Sequence, residues 1–492
     1  MLHSLLKIVL TLSISPLIRF VHGSINPVEI HEQHFFDSVT REPFFIKGVD
    51  YQPGGSSDVT SKQDPLSDPK ICARDIFLFQ KLGINTIRVY SISPDLNHDA
   101  CMTMMAAAGI YLILDVNSPM ENQHLNRYEP WTSYNHNYLQ HIFEVIEEFG
   151  HYNNTLGFFA GNEIINDGHS AKRSPSYIRA VVGDMKSYIK KNSPRGIPVG
   201  YSAADDLRYR IPLSQYLECH RENEPDSSID FYGVNSYQWC GQQTFQTSGY
   251  DQLVSAYKEY TKPVFFSEFG CNTISPRSFA EVEALYSTDM INTFSGGLVY
   301  EFTQEPNNYG LVAMDRDGTA HLLHDFVALQ NRYTAIESNE FQMIRKNAIS
   351  LMAAAPLPAC KDKYENIQID EQVPQDLAKD LVRKGVDQKR GKYLSLKDSD
   401  LVSEFDIYDE NGVKLNGKCK MEVVNKIEIL QSDDEHVSQP KESNPDPREP
   451  PRQAEKQKEK ESNAASFLTL SVPSAFFWTT CFLYFALHCN AF

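Results

Sequence analysis

The stretch Leu156-Gly157-Phe158-Phe159-Ala160-Gly161-Asn162-Glu163 decides the fold. An unbroken apolar and small-residue run ends abruptly in an amide and a carboxylate. A strand with one wet face alternates apolar and polar residues, whereas a parallel strand buried on both faces does not. Similar short runs stand at 44–49, 86–90, 110–116, 197–201, 231–234, 264–267 and 297–302, so that eight strands are expected. Helical spacing of apolar residues separates them. It is found at 69–82 (Ile71, Ile76, Phe77, Phe79 and Leu82, stopped by Gly83), 138–149 (Leu139, Ile142, Phe143, Ile146), 279–291 and 324–333. Eight strands alternating with helices predict a (β/α)8 TIM barrel over 24–334. An open doubly wound sheet ranks lower because no Gly-rich phosphate loop follows the first strand.

The chain of 492 residues exceeds the ~250 of a barrel, so extensions are expected. Over 335–430, Leu394, Leu396, Phe405, Ile407 and Tyr408 alternate with polar residues near the turn Asn411-Gly412, which predicts a small β-rich appendage packed on the barrel. Residues 431–466 are rich in Glu, Lys, Pro and Gln and read as a disordered stalk. Residues 1–23 carry Lys7 and then an apolar run, the pattern of a signal peptide. Residues 467–492 are mostly apolar and follow Ser462-Asn463-Ala464-Ala465-Ser466, which reads as a GPI signal with attachment at Asn463; a plain transmembrane helix is the alternative. Both ends imply the secretory pathway and a lipid link to the membrane. The formal charge of −18 argues against a nucleic-acid partner, which would want a basic face. Of nine cysteines, Cys481 and Cys489 lie in the tail, leaving the odd set Cys72, Cys101, Cys219, Cys240, Cys271, Cys360 and Cys419. No CxxC spacing occurs, so no zinc is expected, and nothing in the sequence calls for another metal or an organic cofactor. Asn153 opens a glycosylation sequon, Asn153-Asn154-Thr155.

Barrel enzymes carry their chemistry at the C-terminal ends of strands. Here those ends supply Asp50-Tyr51-Gln52, Arg88-Val89-Tyr90, Asp115, Asn162-Glu163, Asn235 and Tyr237, Glu268, and Tyr300-Glu301. Cleaving a glycosidic bond requires one carboxylic acid to protonate the leaving oxygen and one carboxylate to attack the anomeric carbon. Glu163 suits the acid, its pKa raised by a neighbouring anionic glutamate. Glu268 suits the nucleophile, kept ionised by Arg88 and Tyr237. Asn162 suits the sugar hydroxyl beside the anomeric carbon. Asp115 reads equally as a substrate ligand or as an ion partner on the barrel floor, and Tyr90 and Tyr300 as ligands or ordinary barrel tyrosines. Tyr51, Tyr237, Trp239 and Tyr309 are the aromatic candidates for an acceptor platform.

Taken in order, Gly48-Val49-Asp50-Tyr51-Gln52-Pro53-Gly54, Asn85-Thr86-Ile87-Arg88-Val89-Tyr90, Leu114-Asp115-Val116 and Gly161-Asn162-Glu163 form a recognisable series. It continues with Gly233-Val234-Asn235-Ser236-Tyr237-Gln238-Trp239-Cys240, Ser267-Glu268-Phe269-Gly270-Cys271-Asn272, Val299-Tyr300-Glu301-Phe302 and Asn308-Tyr309-Gly310-Leu311-Val312. The set resembles glycoside hydrolase family 72, the fungal GPI-anchored β-1,3-glucanosyltransferases of the cell wall. That resemblance implies a retaining mechanism, with Glu163 as acid/base and Glu268 as nucleophile ~5–5.5 Å apart. It implies that Gln52, Tyr90, Asp115, Asn162, Tyr237 and Tyr300 line the donor site. It also implies the pairs Cys72–Cys101, Cys219–Cys360 and Cys240–Cys271, with Cys419 left over. The implied partners are a β-1,3-glucan donor and acceptor, and the implied place is the outer face of the plasma membrane and the wall, as a monomer. Only Cys360 and Cys419 follow the barrel before the tail, so the cysteine-rich carbohydrate-binding module of some members is expected to be missing. Two rival functions fit the same motifs: a hydrolytic endo-β-1,3-glucanase with water as acceptor, and a non-catalytic wall-glucan scaffold.

Overall fold

The computed structural model describes residues 25–222, 224–337 and 356–425. The leader over 1–23, the stalk over 431–466, the tail over 467–492 and Asn463 lie outside the described residues. The chain opens with three short antiparallel strands, β1 (Val28–His31), β2 (His34–Asp37) and β3 (Pro43–Phe44). The eight long apolar runs then become β4 (Ile46–Asp50), β5 (Thr86–Val89), β6 (Tyr111–Asp115), β7 (Thr155–Asn162), β8 (Val199–Ala203), β9 (Phe231–Ser236), β10 (Val264–Phe269) and β11 (Phe294–Val299). Each is hydrogen-bonded in parallel to the next, and β11 returns to β4, which closes the barrel.

Closure needs a glycine. At Gly296 a Cβ would sit 2.0 Å from the Ile46 carbonyl oxygen, and its φ is +92°, so no side chain fits where β11 meets β4. The last strand runs over 294–299, earlier than the expected 297–302. The preceding helix is correspondingly shorter than expected, Glu281–Leu285 in place of 279–291. After it the chain turns, burying Met290 and Ile291 against the barrel wall.

Capping explains the better-read helices. In Pro69–Leu82 the Asp68 side chain accepts the Lys70 N–H, Pro69 occupies the first turn, and Gly83 ends the helix at φ 79°. The helix His136–Phe149 is capped by Asn135 in the same way. The first three strands were not anticipated. They plug the strand-start end of the barrel, where Phe35 is fully buried against Phe231 and Phe265. Burying that ring contributes roughly 2–3 kcal/mol.

The β-rich appendage expected over 335–430 is corrected. Its described part holds one strand, β14 (Ile407–Tyr408), one short α-helix, Lys379–Lys384, one 3-10 turn, Asp398–Leu401, and isolated bridges. The period-two pattern around Leu394 and Leu396 arises because extended chain lies along the barrel's outer helices. Its backbone is satisfied locally, as where Lys392 N–H donates to Asp99 (2.9 Å) and Leu394 N–H to Thr103 (3.0 Å). β14 adds to a hairpin of barrel origin, β12 (Val312–Met314) and β13 (Ala320–Leu322).

Among the described residues three disulfides are present, Cys72–Cys101, Cys219–Cys360 and Cys240–Cys271, and Cys419 is free. Cys219–Cys360 clips the appendage to the barrel and closes a loop of 141 residues. Chain-entropy arithmetic for a loop of that length gives about 5 kcal/mol, the top of the measured range. The double variant Cys219→Ser/Cys360→Ser is therefore expected to lose several kcal/mol in denaturant unfolding. A loss below about 1 kcal/mol would mean that the appendage stays docked without the clip.

Candidate active site

The strand ends gather the expected residues in one mouth. Arg88, on β5, is fully buried, with its guanidinium between the rings of Tyr90 (4.3 Å) and Phe159 (4.6 Å). It donates two bonds to Asp115 (3.0 and 2.9 Å), one to the Ser267 carbonyl (3.1 Å) and one to Glu268 Oε1 (3.3 Å). Asp115 is thus the ion partner of Arg88, and it also edges the groove described below.

Glu268, on β10, receives two further donors: Tyr90 OH to Oε1 at 2.9 Å and Tyr237 OH to Oε2 at 2.7 Å. Burial pushes its carboxyl above the ordinary glutamate range, and the nearby charge of Glu163 pushes the same way. Arg88 and the two phenols oppose the rise. Three donors converging on one carboxylate orient it and favour its charged form.

Glu163 follows β7 with φ 49°, a left-handed conformation that costs a non-glycine residue about 1 kcal/mol or more. Its N–H donates to the Ser202 carbonyl on β8 (2.9 Å), which fixes the turn. Its carboxylate accepts the Asn235 amide N–H at 2.8 Å. Asn235 lies on β9 in register with Glu268, and its carbonyl accepts the hydroxyls of Ser267 (2.8 Å) and Ser202 (3.2 Å). Those two bonds set the amide so that its N–H points at Glu163. Asn235 stood in the quoted motif without a role; only the register between β9 and β10 reveals one.

Asn162 is half-buried at the end of β7, and its carbonyl lies 3.5 Å from the Asn235 amide. Tyr300 meets Tyr90, Tyr237 and Tyr309 edge-on, with centroids 6.4, 6.4 and 5.2 Å away. Gln52 departs from the expectation of a donor-site ligand. It is buried, its carbonyl accepts the N–H groups of Tyr90 and Ser91, and its amide donates to the Ser91 carbonyl. Gln52 therefore holds the backbone that carries Tyr90. Of the acceptor candidates, Tyr51 is buried with its hydroxyl on Asp75, and Trp239 is buried against Tyr250, so neither is a platform. Tyr237 and Tyr309 remain half-exposed at the mouth, 5.7 Å apart. Asn153, the sequon residue, sits half-buried in the turn before β7, at the far end of the barrel.

A groove of about 660 Å³ leads away from Tyr90, Asp115 and Asn162 past His124 and Tyr128. A larger cavity, about 1000 Å³, lies at the strand-start end against Pro198 and Lys262 and includes neither glutamate. Chemistry follows the convergent polar groups, not the volume.

A buried ion triad ties the loop after β4 to the outer helices. His98 contacts Asp64, in the loop after β4, and Glu148, in the helix His136–Phe149, each at 2.7 Å. Burial alone would lower the imidazole's pKa, but the bonds to Asp64 and Glu148 overcome it and raise it to about 9. A folded-state value above the unfolded 6.5 gives stability that is complete below about pH 6.5 and lost as pH rises through about 9. The scale is on the order of 3 kcal/mol, of which the burial of Glu148 takes back a part. The stability gap between wild type and His98→Asn is expected to narrow over that window. A gap independent of pH would show an uncharged imidazole.

A parallel barrel with two strand-end glutamates framed by Arg, Asn and Tyr defines a glycosidase-type barrel protein. The chain belongs to the glycoside hydrolase family 72 glucanosyltransferases, whose family model matches residues 18–337. It is 58% identical over 407 residues to 1,3-beta-glucanosyltransferase GAS4 of Saccharomyces cerevisiae, covering 83% of this chain and 86% of that one. It is 44% identical over 401 residues to 1,3-beta-glucanosyltransferase gel2 of Aspergillus fumigatus, covering 80% and 82%. Among solved structures, Saccharomyces cerevisiae Gas2p in complex with laminaritriose and laminaritetraose matches with a TM-score of 0.62 and 38% identity, over 70% of this chain and 75% of that one.

Proposed function

We propose that this protein is a retaining β-1,3-glucanosyltransferase, with Glu268 as nucleophile and Glu163 as acid/base. The observation that carries the assignment is the pairing of roles in one mouth: Glu268 is held by three donors, while Glu163 is held by Asn235 alone among the described contacts. The donors oppose the effect of burial and stabilise charge on Glu268, as attack on carbon requires. A β-1,3-glucan lies across the mouth. Glu268 attacks C1, Glu163 protonates the departing O3, and the C1–O3 bond breaks as the glycosyl-enzyme ester forms. The fragment carrying the old reducing end leaves. A second glucan then places its 3-OH at C1, Glu163 takes that proton, and a new β-1,3 bond forms as the ester breaks. Two inversions give net retention. Asn162 faces the 2-OH of the donor sugar, and Tyr237 and Tyr309 flank the acceptor side.

Transfer and hydrolysis compete for one intermediate. Incubation with a single defined laminari-oligosaccharide is expected to give products longer than the starting sugar. Exclusively shorter products would establish an endo-glucanase instead, and no turnover of any β-1,3-glucan would leave a scaffold. The same reading places the protein in the secretory pathway, lipid-anchored at the outer face of the plasma membrane through Asn463, with a glycan on Asn153.

The donors to Glu268 yield a pH prediction. Tyr237→Phe removes the shortest one, which favours the charged form, so the acid limb of kcat/KM is expected to move to higher pH by roughly one to two units. An unmoved limb would show that Tyr237 does not bond the ionised nucleophile.

A further inference from the structure

One carboxyl group in the barrel has no use in the reaction above. Asp50 ends β4, in register with Arg88 on β5, and is fully buried. Among the described residues neither of its side-chain oxygens has a hydrogen-bond partner. Its neighbour Arg88 directs its four described hydrogen bonds elsewhere, to Asp115, Ser267 and Glu268.

The charges facing Asp50 are Arg88 on β5, Asp115 on β6, Glu268 on β10 and Glu301 beyond β11. The phenols acting on the same group are Tyr90, Tyr237, Tyr300 and Tyr333. One cation thus already serves two carboxylates. A third carboxylate, unbonded and dry, would cost several kcal/mol, and a buried acid in that position keeps its proton instead. Burial pushes the Asp50 carboxyl up; Arg88 opposes, and the surrounding carboxylates add to the rise.

The geometry points to Asp50 as a positioning residue that acts through Arg88: it stands in register with Arg88 as a neutral acid, and losing its proton draws the guanidinium off Glu268. The reaction then has an alkaline limit set by a residue that never touches sugar. The inference rests on the assignment of Glu268 as nucleophile.

The test uses a β-laminaribiosyl fluoride donor with the full-length protein. Fluoride departs without a proton, so the first step needs no general acid and its alkaline side reports on other groups. Wild type is expected to slow by up to about a hundredfold on going alkaline, the scale of a misaligned reacting group. The Asp50→Asn profile, whatever its height, is expected to stay flat there with its acid limb in place. An identical alkaline fall in Asp50→Asn overturns the inference. So does an acid limb displaced downward, because that is what deleting a carboxylate beside Glu268 produces. Should Asp50→Asn fail to fold, Asp50→Ser carries the same expectation. Infrared difference spectra between wild type and Asp50→Asn supply a second readout: a protonated-carboxylic-acid carbonyl stretch present in wild type at neutral pH is expected to be lost in the variant, and an unchanged band overturns the inference. Glu268→Gln is the control, since activity of that variant on the fluoride would remove the nucleophile assignment itself.

Discussion

Glu268→Gln is expected to lower transfer from β-1,3-glucan by on the order of 10⁴-fold or more. The amide cannot form the glycosyl ester, so the two-step path is lost and not merely slowed. The fold is expected to survive, because the amide carbonyl still accepts from Tyr237 or Tyr90. The cost falls on Arg88, which then faces a neutral group with only Asp115 to balance it. Activity should not return with a more reactive donor, because the lost group is the one that bonds to carbon. A variant within tenfold of wild type would remove Glu268 from the chemistry.

Glu163→Gln is expected to lose about 10²–10⁴-fold on glucan, the scale of general acid–base catalysis. Its signature differs from that of the nucleophile variant. With a glycosyl fluoride the first step needs no proton, so glycosyl-enzyme forms and accumulates. The second step still lacks its base, and external azide, which needs no deprotonation, is expected to intercept the ester as a β-glycosyl azide. Failure of both rescue and azide capture would leave Glu163 without the acid/base role. The Asn235 amide contact also bears on this variant, because a Gln there must turn its carbonyl toward Asn235 to keep the bond.

The barrel was legible because its strands are apolar on both faces and its helices carry caps, as at Asp68 and Gly83. Local chemistry writes those signals. The hairpin that plugs the barrel was missed: its strands are two to four residues long, too short for a period, and its key residue, Phe35, acquires meaning only against Phe231 and Phe265. The helix Leu207–Glu218 was obscured by Pro212 inside it. The helix Pro175–Asn192 did carry a readable stripe, with Ile178, Val181, Val182, Met185 and Ile189 buried. The appendage misled because extended chain laid on helices mimics strand alternation. In the site, the two glutamates and Arg88 stood out as polar residues closing apolar runs. The roles of Asn235, Gln52 and Asp50 did not, since each depends on a neighbour from another strand: Glu163 for Asn235, the Tyr90–Ser91 backbone for Gln52, and Arg88 for Asp50.

The most direct measurement is to trap the covalent intermediate. A 2-deoxy-2-fluoro-β-laminaribiosyl fluoride slows both steps by destabilising the oxocarbenium-like transition state, and its fluoride leaving group still permits the first. Mass spectrometry of digested protein should then find one added disaccharide, on the peptide containing Glu268, and the label should be discharged by added laminari-oligosaccharide faster than by water. A label on Glu163, or turnover of β-1,3-glucan by a protein that never acquires one at Glu268, would contradict the mechanism.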